Sequence, residues 1–342
     1  FPYGKQETFL ESEVKFLSEY FNITILPRNL GDGKIRTIDK KICIDTGLAL
    51  FGRKKRYSKK FGWLNRSFWL FLIYEKRKLY TVQAIKRINK FAIEYSQVYN
   101  FLKKGNIEPP GILYSYWFNG VAFALADYKS KRAKNFKAIT KAHGYDVYEE
   151  IYQPPFWPLR EKVIDKLDKI FFISNDGLKE VSSKYGSRNK MQACKLGIIN
   201  PFQKPVAISV DIDVLKFLSV SNLYPNKRVF MIAKYLKQFA LENPQLKIRW
   251  DHYGDGLRLK NVEAELENSP VNFISNIIAR IPNTKLLEII STENYDLLIN
   301  LSMIEGLPVS MMEAIANGMP IIATNVGGVS EIVNDITGVL IP

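Results

Sequence analysis

The chain has 342 residues, 46% hydrophobic and 24% charged, which excludes disordered, fibrous and disulfide-scaffold classes. Lys+Arg 49 against Asp+Glu 34 leave a net charge of +15, unevenly spread: residues 1–200 hold 37 basic and 19 acidic groups, residues 201–342 hold 12 and 15. Two cysteines, Cys43 and Cys194, allow neither a disulfide framework nor a cysteine metal quartet, so a reducing compartment and buried thiols are expected.

In chain order, periodicity predicts helices over residues 7–20, 85–102, 226–241 and 285–291. Between them lie strand-like runs at 23–26, 112–114, 170–174, 214–220, 297–299 and 321–324. Strands alternating with helices predict βαβ units around parallel sheets. The length fits two domains. The stretch 200–213, NPFQKPVAISVDID, breaks the rhythm where the charge balance changes sign, and is the expected linker. The expected fold is therefore α/β, with two doubly wound parallel-sheet domains, 1–205 and 206–342, facing a cleft. Ligands of such sheets sit outside the carboxyl ends of the strands. The longest apolar run, 68–74, is far shorter than the roughly 20 residues of a spanning helix. No secretory leader is visible, and both ends read as cuts through a longer chain.

Residues 51–90 depart from the pattern, with 13 basic groups against one acid, Glu75, interleaved with bulky aromatics. Arg53, Lys54, Lys55 and Arg56, with Trp63 and Trp69, suit an interface with anionic lipid, at about 1 kcal/mol per cation near the surface. The same pattern also suits a solvated basic face over a buried aromatic strip. Nucleic acid is another polyanion such a face could meet, but its binding motifs are not present, and no nucleic-acid partner is expected.

The segment 305–342, EGLPVSMMEAIANGMPIIATNVGGVSEIVNDITGVLIP, carries the most chemistry. Gly306 allows an unusual turn, and Pro308 suits a first helical turn. A helix to about Asn317 follows, stopped by Gly318 at the C′ position and by Pro320. A strand over 321–324 then leads to a glycine loop, 325–328. Two strand–loop–helix junctions thus present free N–H groups and a positive dipole end, which suits phosphate. Glu305 and Glu313 flank the first junction, and carboxylates accept hydrogen bonds from sugar and ribose hydroxyls. Phosphate grips beside hydroxyl grips describe a site for a nucleotide-sugar.

The pattern E-x7-E followed by A-x-x-x-G-x-P-I-I-A-T-x-V-G-G-x-x-E-I-V resembles the donor-site signature of retaining GT-B glycosyltransferases, specifically glycosyltransferase family 4. Upstream, LSVSNLYPNKR (218–228), WDHYGDG (250–256) and the runs at 271–275 and 296–300 resemble the family's preceding strands. FPYGKQETFL (1–10), 114–117 and HGYDVYEE (143–150) resemble a subgroup that builds bacterial surface polysaccharides. The resemblance implies a hexosyltransferase that retains anomeric configuration, uses no metal or other cofactor, and works at the inner face of the cell membrane as a cytoplasmic, peripheral protein. Its implied partners are a nucleotide-sugar and a lipid-linked or saccharide acceptor. It also implies roles. Glu305 holds the donor sugar, with backbone N–H groups from Gly306 and Leu307. Glu313 holds the ribose, and Lys227 neutralises the leaving diphosphate. Gly4 approaches the phosphates, and His143 lies near the transferred sugar. Pro308, Arg228 and Gly254 complete the donor set. The family's first strand and last helices are expected to be missing here.

The sequence departs from the family at Asn222, where an arginine is common, and at Ser275, where a glycine is. Asp211 and Asp213 imitate a metal-binding D-x-D but stand in the linker, and read as structural. His252 reads as core or as support for the site. The alternative to an enzyme is a catalytically inactive scaffold of the same fold, or a membrane-bound module that binds polyanions.

Overall fold

The computed structural model describes residues 1–3, 7, 9–31, 33–54, 64–76, 81–105, 111–132, 135–199 and 214–342. The chain divides into two units, 1–195 and 196–342. The expected linker, with Asp211 and Asp213 and the 205/206 boundary, lies outside the described residues.

Unit 1 opens with α1 (Phe9–Leu17) and a short parallel pair, β1 (Thr24–Ile25) with β2 (Cys43–Ile44). Helices α2 (Gly47–Lys54), α3 (Arg66–Tyr74) and α4 (Val82–Gly105) follow. Next come β3 (Ile112–Ser115), α5 (Gly120–Arg132), β4 (Lys137–Ala142), α6 (Gly144–Val147), α7 (Arg160–Lys166), β5 (Lys169–Phe172), α8 (Asn175–Tyr185) and β6 (Met191–Ala193). Strands β3 to β6 form a parallel sheet in that spatial order. Helix α4 is the hub: residues 91–98 are all buried, and α2, α3 and α5 pack around them. A helix buried on every side must satisfy its polar groups internally. Glu94 accordingly accepts from Gly120 N at 3.3 Å and pairs with Arg28 at 3.5 Å, and Gln97 donates to the Arg28 carbonyl at 3.1 Å.

The apolar run 68–74 forms most of α3, started by the Asn65 side chain accepting from Ser67 N at 3.0 Å. Phe68 and Phe71 are buried, with the Phe71 ring 5.2 Å from that of Tyr95 on α4. On the other face Trp69, Leu70, Ile73 and Tyr74 are 49–65% exposed. The helix is apolar all round, and half of it stands in water. The run therefore divides between a buried aromatic strip, Phe68 and Phe71, and an exposed apolar face.

Unit 2 alternates without a break: β7 (Val214–Val220), α9 (Val229–Glu242), β8 (Lys247–Tyr253), α10 (Leu259–Leu266), β9 (Phe273–Ile278), α11 (Asn283–Thr292), β10 (Leu297–Asn300), α12 (Val309–Ala316), β11 (Ile321–Thr324) and β12 (Gly338–Ile341). All strands are parallel, in the order β12-β11-β10-β7-β8-β9. The chain builds outward from β7 to β9, then crosses back to β10 on the other side of β7. Successive strand residues serve opposite faces. Phe217 and Ile299 join Trp250 and Ile248 beneath α9 and α10, while Leu218 and Leu298 join Leu286 and Met311 beneath α11 and α12. This is a doubly wound sheet whose switch point lies between β7 and β10.

Several sequence expectations shift. Helix α9 begins at Val229 instead of 226, because Pro225–Lys227 form a 3-10 turn and Arg228 takes a left-handed conformation (φ 48, ψ 34). Ser174 is not in a strand; its hydroxyl caps α8 by accepting from Gly177 N at 3.0 Å. Cys43 and Cys194 are exposed, not buried thiols. Cys43 opens the two-residue strand β2, and Cys194 follows the three-residue strand β6 at the edge of its sheet.

Candidate active site

The carboxyl ends of β7 and β10 define the crevice in unit 2, and the loops leaving them carry the two central residues of the sequence motif. Lys227 ends the 3-10 turn after β7, and Glu305 lies five residues beyond β10. Lys227 Nζ is 2.5 Å from Glu305 Oε1, with the side chains 22% and 10% exposed. Asn300 Nδ2 adds a longer contact to the same oxygen at 3.4 Å. Residues 78 apart in sequence thus meet beside the switch point of the sheet, where ligands of such folds bind.

The loop that holds Glu305 is fixed from three sides. Met303 N donates to Asn226 O at 2.8 Å, Thr324 Oγ1 donates to Ser302 O at 2.5 Å, and Gly328 N donates to Glu305 O at 3.4 Å. Arg228 adds a fourth tie: its Nε donates to Leu301 O at 2.5 Å and its Nη2 to Ser302 O at 3.2 Å. Its guanidinium therefore braces the Glu305 loop, a task that adjacency to Lys227 did not suggest. The left-handed conformation of Arg228 turns consecutive side chains apart, so that Lys227 and Arg228 reach different parts of one loop.

Leu307 buries its side chain at 4% exposure. Pro308 is the N-cap of α12 (φ −75, ψ 113), so the helix starts at Val309 and Pro308 stands just before its first turn; no side chain caps the helix. Among the described residues, no backbone hydrogen bond takes up the N–H of Gly306 or Leu307. The uncapped start of α12 and these amides present a positive end to the crevice. The positive-φ glycines of this segment are Gly318 (φ 76), Gly327 (φ 53) and Gly338 (φ 157); Gly306 is not among them and lies in a bend. Gly318 closes α12 as expected, its N–H donating to Ile315 O at 2.9 Å.

Glu313 lies in the second turn of α12 and is buried at 5% exposure. Burial raises its pKa, and the hydrogen bond from Asn283 Nδ2 to its Oε1, at 3.1 Å, opposes the rise. Gly254 has φ 155, and a Cβ there would lie 1.8 Å from Ser221 O. Its bare α-carbon lets the chain leaving β8 lie against the Ser221 carbonyl just beyond β7. His252 is fully buried, with Nδ1 2.8 Å from Ser219 Oγ on β7; burial pushes it down to about 4.

Two residues that sequence reasoning missed lie in and just after the β9–α11 loop. Arg280 Nη2 donates to Asn222 Oδ1, and Asn283 orients Glu313 as described. The missing cation at Asn222 was the only sequence signal toward Arg280.

In unit 1, His143 follows β4 directly and is the N-cap of α6, its backbone N donating to Asp146 Oδ1 at 2.5 Å. Its ring lies 4.6 Å from those of both Tyr116 and Trp117. Burial, helped by Lys141, pushes the imidazole down to about 3, so it is neutral near pH 7. Asp146 is fully buried and is pushed up to about 7 by burial, against the hydrogen bonds from His143 and Phe118 amides and the Arg160 charge. Arg53 and Lys54 are exposed in the last turn of α2, and Trp69 on α3 is 50% exposed. Gly4, Lys55, Arg56 and Trp63 lie outside the described residues. Among the described residues no cluster of three or more His, Cys, Asp or Glu could hold a metal ion.

The profile of the family described as glycosyl transferases group 1 matches residues 208–342, the unit that carries this crevice. Known structures share the fold over 72–89% of this chain. A trehalose-6-phosphate synthase studied with bisubstrate glycomimetics matches at TM-score 0.59 and 13% identity, covering 89% of this chain and 78% of its own. The lipopolysaccharide outer core galactosyltransferase WaaB matches at TM-score 0.55 and 16% identity, covering 76% and 68%. The GtfA/B complex matches at TM-score 0.55 and 16% identity, covering 72% of this chain and 49% of that one. The fold is that of the GT-B glycosyltransferases. This chain spans about half the length of the GtfA/B relative. A search of curated protein sequences returns no match.

Proposed function

We propose that this chain transfers a hexose-type sugar from a nucleotide-diphosphate donor to a lipid-linked or saccharide acceptor, with retention and without a metal, in cell-surface polysaccharide synthesis. The observation that carries the reading is the Lys227–Glu305 contact of 2.5 Å at the β7/β10 switch point. A cation and a hydroxyl-accepting carboxylate stand together there beside an uncapped helix start. Lys227, the amides of Gly306 and Leu307 and the α12 dipole stabilise charge that grows on the leaving diphosphate. Glu305 holds hydroxyls of a sugar whose anomeric carbon passes through an oxocarbenium-like state. The bond from that carbon to the phosphate oxygen breaks, the bond to the acceptor oxygen forms, and the acceptor's proton passes to the leaving phosphate. Glu313, oriented by Asn283, accepts from the ribose.

The acceptor side is read from unit 1. The exposed face of α3 (Trp69, Leu70, Ile73, Tyr74), with Arg53 and Lys54 on α2 and Arg66 and Lys76 at the ends of α3, supports docking on an anionic membrane. No described helix is long and apolar enough to cross one. The reading places the protein as a peripheral enzyme on the cytoplasmic face.

The test is a panel of UDP-, GDP- and ADP-hexoses incubated with the chain, with and without lipid extract as acceptor, followed by NMR of the sugar product. One donor should be consumed, its anomeric configuration should persist in the product, and Glu305→Ala should abolish turnover. Binding of a donor with no turnover under any condition would favour the inactive scaffold. No binding at all would refute the donor site.

A further inference from the structure

The crevice poses a charge problem. Lys227 is matched by Glu305 in direct contact, so its charge is already neutralised before a diphosphate arrives. Arg228 is bound into the Leu301 and Ser302 carbonyls. A diphosphate brings negative charge on each of its phosphates, and desolvated phosphate oxygens need charged donors.

The β9–α11 loop supplies one. It leaves the carboxyl end of β9, two strands from β7, yet Arg280 reaches back across β8 to Asn222, the second residue after β7. Its partners leave its charge largely uncompensated. Asn222 offers a neutral amide oxygen. Asp255 lies 3.8 Å from Arg280 Nε and is 61% exposed, so that pair is weak. The Arg280 side chain is 31% exposed, and a guanidinium carries five N–H donors in a fork suited to phosphate. The loop is anchored at both ends. Gly254 N donates to Ile278 O at 2.9 Å, and Asn283, which opens α11, holds Glu313. One loop thus touches the residue leaving β7 through Arg280 and the α12 carboxylate through Asn283.

We propose that Arg280 is a second diphosphate-binding cation, delivered from the β9–α11 loop to the position of Asn222. This rests on the donor-site reading above and adds a residue to it. The short amide of Asn222 orients a guanidinium that arrives from beyond another strand.

The test is calorimetry of UDP, GDP and ADP, and of the corresponding nucleosides, on the intact chain. Arg280→Ala should weaken the best-bound diphosphate roughly 10- to 100-fold, as loss of charge-assisted hydrogen bonds does, and leave its nucleoside unchanged. Arg280→Gln, which can still donate to Asn222 and so keeps the loop in place, should behave like Arg280→Ala. Adding Asn222→Arg to Arg280→Ala should recover most of the loss. The proposal is overturned if Arg280→Ala keeps wild-type diphosphate affinity, if it weakens the nucleoside equally, or if Asn222→Arg recovers nothing. Loss in Lys227→Ala with no loss in Arg280→Ala would sink this inference and spare the donor site. A wild-type chain that binds no nucleoside diphosphate would sink both.

Discussion

Replacing Lys227 by alanine separates the two tasks assigned to it. In the free protein Lys227 compensates Glu305 at 2.5 Å, where the carboxylate side chain is only 10% exposed. Removing a partner from a fully buried pair costs about 3–5 kcal/mol. Lys227 itself is 22% exposed and Asn300 keeps a contact with Glu305 at 3.4 Å, so the loss here should be smaller, about 1–3 kcal/mol. On the proposed reading, Lys227 turns to a phosphate oxygen when the donor binds. A charge-assisted hydrogen bond of about 1.5–3 kcal/mol then disappears, which is roughly a 10- to 150-fold loss of nucleoside-diphosphate affinity. Urea denaturation gives the first number and calorimetry the second. Glu305→Gln discriminates further: it relieves Lys227 of its carboxylate, so diphosphate affinity should hold or rise while sugar transfer collapses. If Lys227→Ala lowered stability but left diphosphate affinity within about twofold, charge compensation within the loop would be its whole role. The proposed phosphate contact would then be wrong.

Three further outcomes are expected. Gly254→Ala would push a methyl to 1.8 Å from the Ser221 carbonyl at a φ of 155; the close contact and the backbone strain together should cost roughly 3 kcal/mol or more in urea denaturation, and a loss under about 1 would contradict the geometry. His252 titrates near 6.5 when unfolded and near 4 when folded. Its contribution is complete above the unfolded value and is lost as pH falls through that window, by roughly 3 kcal/mol at pH 4. His252→Asn should therefore flatten the stability–pH curve between those limits, and an unchanged slope would refute the assignment. Trp69→Ser with Ile73→Ser should reduce binding to phosphatidylglycerol vesicles roughly 30-fold, from about 1 kcal/mol per half-exposed side chain, with unchanged melting. Vesicles of phosphatidylcholine should bind weakly, and equal binding to both would remove the charge from the argument.

Much of the donor unit was legible before any coordinates. The strand at 321–324, the stop at Gly318 and the strand at 214–220 fall where periodicity and helix-end chemistry put them, because those signals are local. The meeting of Lys227 with Glu305 was readable only through a family resemblance, since nothing local encodes a contact between residues 78 apart. Arg228 shows the limit of adjacency: one left-handed residue sent neighbouring cations to different partners. Gly254 shows the limit of motif reading, because its missing side chain makes room for the Ser221 carbonyl.

The charged region of unit 1 makes the same division. Composition alone fixed that residues 51–90 combine 13 basic groups with large aromatics. It could not say which aromatics face inward, because a run of seven apolar residues has no periodicity to read. Packing against α4 decided that, burying Phe68 and Phe71 and leaving Trp69, Leu70, Ile73 and Tyr74 in water. Local backbone preferences and composition set which elements form. Which side chains meet across a sheet, and which are left without cover, depends on long-range packing that only the assembled fold supplies.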